Sequence, residues 1–200
     1  MSFGSQQARQ FLAAVQGKAA VFIVPDRQTN LLLGRLFLAA AAFSGSPCLV
    51  LDMDAFYGSN SALLAEGLPL PEDVWIHIPR VGAGGEEAVS GLFATAKRRL
   101  EIIDDLNSLY HTFSSDDQNS AGRKLTFFMN AMSFVARNDD LTIMATIYER
   151  ERPAFGRRTR LFAGLGDLSV SVRREGDTLS LRCDRGAEWP GGKLTLPMRP

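Results

Sequence analysis

Two hundred residues, 46% hydrophobic and 22% charged, are the composition of one globular domain with enough apolar surface to bury a full core. Basic and acidic side chains balance at 22 each, which excludes a whole-molecule field that would draw the chain to DNA or an anionic membrane. Two distant cysteines, Cys48 and Cys183, each inside an apolar run, exclude a disulfide framework or a cysteine metal cluster and read as small core residues of a reducing compartment.

The amino-terminal MSFGSQQARQFLAAVQ lacks a long apolar stretch behind a basic start, and Leu31 to Phe43 is too short to span a bilayer. The expected location is therefore the cytoplasm, with no membrane partner. Ala8, Phe11, Leu12 and Val15 recur at helical spacing and stop at Gly17, which predicts a leading helix over 5–16. AAVFIV (19–24) reads as a strand covered on both faces. Thr29 or Asn30 is expected to cap the following helix LLLGRLFLAAAAF. The alternation then repeats: strand 46–54, the short helix SALLAEGL, strand 73–78, helix 86–97, strand 98–105, helix 122–138 and strand 140–148. Strands and helices in that order predict an α/β fold with a mostly parallel sheet wrapped on both sides. LSVSVRREGDTLSLRC then alternates with period two around Gly176-Asp177, a two-residue turn with glycine first, and predicts a C-terminal antiparallel hairpin. The tail 186–200, rich in Gly and Pro, is expected to lie along the surface. One domain results: a helix at 1–17, a core at 18–185 and that tail.

Ligands of an open parallel sheet sit outside the carboxyl ends of its strands. Asp52 and Asp54 close one strand, and Asp104 and Asp105 close another. Carboxylates there can hold magnesium and orient water, or simply cap the next turn. His77, inside DVWIHI, reads as a satisfied strand residue; His111 lies beyond the acidic strand end. Trp189 reads as a packing residue, and no nucleophile motif or zinc spacing is present.

The order of these pieces resembles the ATPase core of the RecA superfamily, in particular the archaeal RadA/RadB and KaiC-like branch. LEIIDDLNSLYHTF is similar to the family's Walker B strand, with Asp104 in the magnesium-orienting place and Asp105 where serine is usual. LVLDMDAFYGSN resembles the segment that carries the water-activating glutamate, with Asp54 in that position. The resemblance runs through the strand LTIMATIY to the closing hairpin, roughly residues 15 to 185. It implies that PDRQTN (25–30) occupies the place of the phosphate loop GxxxxGK[ST], which grips phosphates with backbone N–H groups, a lysine and a hydroxyl. PDRQTN has no glycine, begins with a proline that has no N–H, and sets Asp26 where phosphate would be repelled. Arg27 as a substitute cation and Thr29 as a hydroxyl, next to Asn30, do not rebuild the backbone cradle.

The expectation is thus a RecA-like pseudo-ATPase with Asp54 and Asp104 vestigial, no cofactor and no metal site, Asp104 being the one weak magnesium candidate. It would act as a regulatory or interaction module on a protein partner, a RecA-family ATPase or a copy of itself. Two alternatives stand beside it. The segment ERERPAFGRRTR matches by position the family's DNA-channel loop, and Arg150, Arg152, Phe155, Arg157, Arg158 and Arg160 could hold single-stranded DNA for a recombination accessory. Those arginines could equally pair with Glu149 and Glu151 in a solvated loop. The segment HTFSSDDQNSAG, the family's other DNA loop, carries Asp116 and Asp117 and no arginine. The second alternative is an ATPase with an unorthodox phosphate site and Mg-ATP as ligand. Phe11 and Ala14 match the F-x-x-A pattern by which recombinases dock onto a neighbour, but Phe11 reads better as core.

Overall fold

The computed structural model describes residues 5–66, 73–80, 85, 89–90, 92, 100–117, 119–149, 164–176, 178–186 and 193–197. Two N-terminal helices, α1 (Ser5–Val15) and α2 (Arg27–Ser44), flank strand β1 (Ala19–Val24). Strand β2 (Cys48–Asp52) leads into two short helical turns, α3 (Phe56–Ser59) and α4 (Ser61–Ala65), and then β3 (Val74–His77). After β4 (Leu100–Asp104) come α5 (Leu106–Asp116), α6 (Ala121–Asp139), β5 (Thr142–Tyr148), β6 (Leu168–Glu175), β7 (Thr178–Arg185) and β8 (Lys193–Pro197).

The eight strands form one sheet in the order β3-β2-β4-β5-β1-β6-β7-β8. All contacts from β3 to β6 are parallel, and β6–β7 and β7–β8 are antiparallel. The α/β class, the mostly parallel sheet and the antiparallel end are as the sequence predicts. Successive residues of a strand face opposite ways, so β1 feeds two cores. Ala20, Phe22 and Val24 pack under α1 and α2 with Leu33, Leu36 and Phe37, while Ala19, Val21 and Ile23 pack with Leu106, Leu109 and Phe113 of α5 and with Leu125, Phe128 and Met132 of α6. Phe11 is fully buried. Its ring lies 5.9 Å from Phe22 and 6.0 Å from Phe37, so it anchors α1 to the sheet and the core reading of the F-x-x-A pattern holds. Gly34 lets α2 close on α3, because a Cβ there would come within 3.0 Å of the Tyr57 hydroxyl.

Three expectations change. Helix α2 begins earlier than Thr29 or Asn30 could cap it, because Asp26 is its N-cap and the Thr29 N–H donates to Asp26 Oδ1 at 2.7 Å. The stretch after β4, given no element before the loop HTFSSDDQNSAG, is helix α5, and it takes in the first half of that loop; Asp105 caps it, accepting from the Ser108 N–H at 2.6 Å, and Leu106, Leu109 and Phe113 give it a buried stripe. Part of the tail is not a surface strap: Lys193–Pro197 pairs with β7 as the last strand. Strand β3 is an edge strand with Trp75 and Ile76 exposed, and the Nε2 of its half-buried His77 has no hydrogen-bond partner among the described residues. The helix expected at 86–97, the turn residue Asp177 and Trp189 lie wholly or largely outside the described residues.

Candidate functional site

Parallel strands share one carboxyl edge, and the acids converge there. Asp52 ends β2 and Asp104 ends β4; the two are direct partners across the ladder, and the Met53 N–H donates to the Asp104 carbonyl at 2.6 Å. Asp54 lies two residues past β2. One carboxylate oxygen from each of Asp52, Asp54 and Asp104 falls within 4.8 Å of the others. Asp52 and Asp104 are fully buried, whereas Asp54 keeps about a quarter of its side chain in solvent (24%).

Each acid has a different neighbourhood. Asp52 folds back on the turn that follows it, its Oδ2 accepting from the Gly58 N–H at 2.9 Å. Burial raises its pKa, against the pull of the Gly58, Tyr57 and Phe56 amides. Asp104 Oδ1 accepts from Asn30 Nδ2 at 3.0 Å and from the Thr146 hydroxyl. Burial nevertheless pushes its carboxyl from the ordinary 3.8 to about 7, with the Thr146 and Asn30 hydrogen bonds pulling down and the Asp105 and Asp54 charges pushing up. Asp105, the cap of α5, is raised to about 6, first by burial and then by Asp54, against the Ser108 amide. Asn30 also donates to the Tyr148 hydroxyl at 2.9 Å. Burial, then the Asp104 charge, keeps that phenol above its usual range.

The segment 25–30 meets these acids directly. Arg27 reaches Asp54 at 3.4 Å with 76% of its side chain exposed, a weak surface pair. Asn30 holds Asp104, while the Thr29 hydroxyl is buried with no hydrogen-bond partner. The structure therefore gathers Asp26, Arg27, Thr29, Asn30, Asp54 and Asp104, distant in sequence, at one edge. Sequence reasoning missed Thr146, Tyr148 and Asn107, whose Oδ1 accepts from the Tyr148 N–H at 2.9 Å. A hydroxyl inside the apolar run TIMATIY was the available signal for Thr146.

At the start of α2 one carboxylate is already in place. The N-terminal N–H groups of a helix attract an anion, and Asp26 already places its own carboxylate on those of α2. A second anion there would meet Asp26 at close range. No protein-family model matches the chain, and no curated protein matches it.

Away from the acids, His111 lies on the exposed side of α5, with its ring 5.9 Å from Tyr110. Asp117 is exposed just beyond that helix. A cleft of about 210 Å³ opens at the opposite sheet edge, between Leu12, Gln16, Ser44, Leu100 and Thr142. Arg150, Arg152, Phe155, Arg157, Arg158 and Arg160 lie outside the described residues.

Proposed function

We propose that this chain is a RecA-like core whose nucleotide site is closed by its own side chains, and that it works as a protein-interaction or regulatory module. The observation that carries the reading is the Asp26 cap. In a working phosphate loop the first amides of the helix are left free for the ligand; here the Asp26 carboxylate accepts from one of them at 2.7 Å. The remaining parts are turned on one another, Arg27 onto Asp54 and Asn30 onto Asp104. An arginine that pairs with the candidate water-activating carboxylate withdraws both from a phosphate.

A module of this kind acts through surfaces, and the fold resembled by this chain assembles side by side. The partner proposed is a RecA-family ATPase or a second copy of the chain. The test is a melting curve in the presence of millimolar Mg-ATP, Mg-ADP, or Mg²⁺ alone, since any ligand that prefers the native state raises its apparent stability. The nucleotides should add nothing beyond Mg²⁺. A further rise with Mg-ATP, lost in Asp104→Asn, would overturn the proposal in favour of an unorthodox ATPase.

A further inference from the structure

Among the described residues, the acids at the ends of β2 and β4 have few partners for the oxygens they bring together. Two fully buried carboxyl groups sit side by side, and among the described residues the third pairs with Arg27 at 3.4 Å, on a largely exposed side chain. A buried carboxyl keeps its proton, pairs with a cationic side chain or gives the proton up to ligate a metal ion. A second observation points the same way. Asp52 Oδ1 and Asp104 Oδ2, one on each of two paired strands, are sealed from solvent and receive no hydrogen bond. Their sister oxygens are satisfied, Asp52 Oδ2 by Gly58 and Asp104 Oδ1 by Asn30 and Thr146. Each buried carboxylate is thus oriented through one oxygen and leaves the other without a donor.

We infer that Asp52, Asp54 and Asp104 form a site for one hard divalent cation, Mg²⁺ or Ca²⁺, bound directly by the protein and without nucleotide. The geometry suits it. A cation at roughly 2.1 to 2.5 Å from each oxygen holds ligand oxygens about 3 to 5 Å apart, and the three carboxylates offer oxygens within 4.8 Å of one another. All three donors are carboxylates, with no thiolate or imidazole in the set, which favours a hard cation over zinc or copper. Asn30, already bonded to Asp104, adds a buried amide Oδ1 without a donor, a neutral oxygen of the kind these ions accept. Arg27 competes for the outermost ligand, Asp54, and swings away when the cation enters. The site does not depend on the nucleotide reading above, because the ligands belong wholly to the chain.

Mn²⁺ serves as the probe, its free concentration read by electron paramagnetic resonance with the full chain and no nucleotide, followed by competition with Mg²⁺ and with Ca²⁺. One bound Mn²⁺ per chain is expected, displaced by one of the two ions. Asp54→Asn, a change at a partly exposed residue that leaves the fold intact by circular dichroism, should weaken binding at least tenfold. Arg27→Ala should tighten it severalfold by freeing Asp54. Asp117→Asn, an exposed acid beyond α5, should leave it unchanged. No saturable binding at millimolar Mn²⁺, or binding that survives Asp54→Asn, would overturn the inference. A response confined to samples containing ATP would also overturn it.

Discussion

Asp104 sits where three interactions pull on one proton. Burial raises its carboxyl to about 7, while Thr146 and Asn30 favour the charged form less strongly than burial opposes it. Because the native state holds this proton more tightly than the unfolded chain, the stability it contributes is complete below about pH 4 and is lost as pH rises through about 7. Moving a carboxyl from 3.8 to about 7 corresponds to roughly 4 kcal/mol. Asp105, raised to about 6, works in the same direction. In the presence of a chelator, the denaturant midpoint should therefore fall between pH 5 and pH 8. Asp104→Asn should flatten that fall and raise the midpoint at pH 8; a midpoint that instead climbs over this interval would show that the carboxylate is held as an anion. Asp26 allows a second test. Asp26→Ala removes the acceptor for the Thr29 N–H and should cost about 1 kcal/mol, whereas Asp26→Asn, also a good cap, should cost much less. Equal losses in urea titrations would mean that the charge rather than the cap is what matters.

Helix α2 joins the segment 25–30 to the rest of the site, and its interior glycine is where packing overrides propensity. A glycine in mid-helix ordinarily costs about 1 kcal/mol relative to alanine. At Gly34 a Cβ would come within 3.0 Å of the Tyr57 hydroxyl and 3.1 Å of Leu64 Cδ2, and both side chains are buried. Gly34→Ala should therefore fail to give the usual gain, and Gly34→Val should lose roughly 1 to 3 kcal/mol, measured as a shift in the urea midpoint. A stabilised alanine variant would show that α3 and α4 can move away from α2. Helix α5 illustrates the opposite case, a helix whose signals were all present locally. Asp105 at the cap and Leu106, Leu109 and Phe113 on one face are a start signal followed by an apolar stripe. Those residues were legible as an acidic strand end and an aromatic segment, which obscured the helix between them.

At the scale of the whole molecule, one sheet carries both cores. Strands β1, β2, β4, β5, β6 and β7 each contribute buried residues to one core or the other and are held by neighbours on both sides. Separating the two layers would require breaking that shared ladder. Unfolding should therefore be a single cooperative transition, with far-UV circular dichroism and tryptophan fluorescence giving coincident curves. An early loss of fluorescence change, with the dichroism still native, would place the β3 edge, where Trp75 is exposed, in a separate and weaker unit.

The linear order of apolar runs, turn residues and helical stripes determined the α/β class, the strands of the parallel sheet and the hairpin β6–β7, because those signals act over a few residues. It also determined that 25–30 cannot supply the glycines and lysine of a phosphate loop. Only the tertiary structure decided what that segment does instead. Asn30 and Asp104 are 74 residues apart, as are no two members of a short motif, yet they meet at 3.0 Å. Whether Asp52 or Asp54 faces the buried side depended on the ladder that pairs Asp52 with Asp104. The protonation of Asp104 and the orphaned oxygens of Asp52 and Asp104 follow from the water that packing excludes, a property of the enclosed space rather than of any residue's place in the chain.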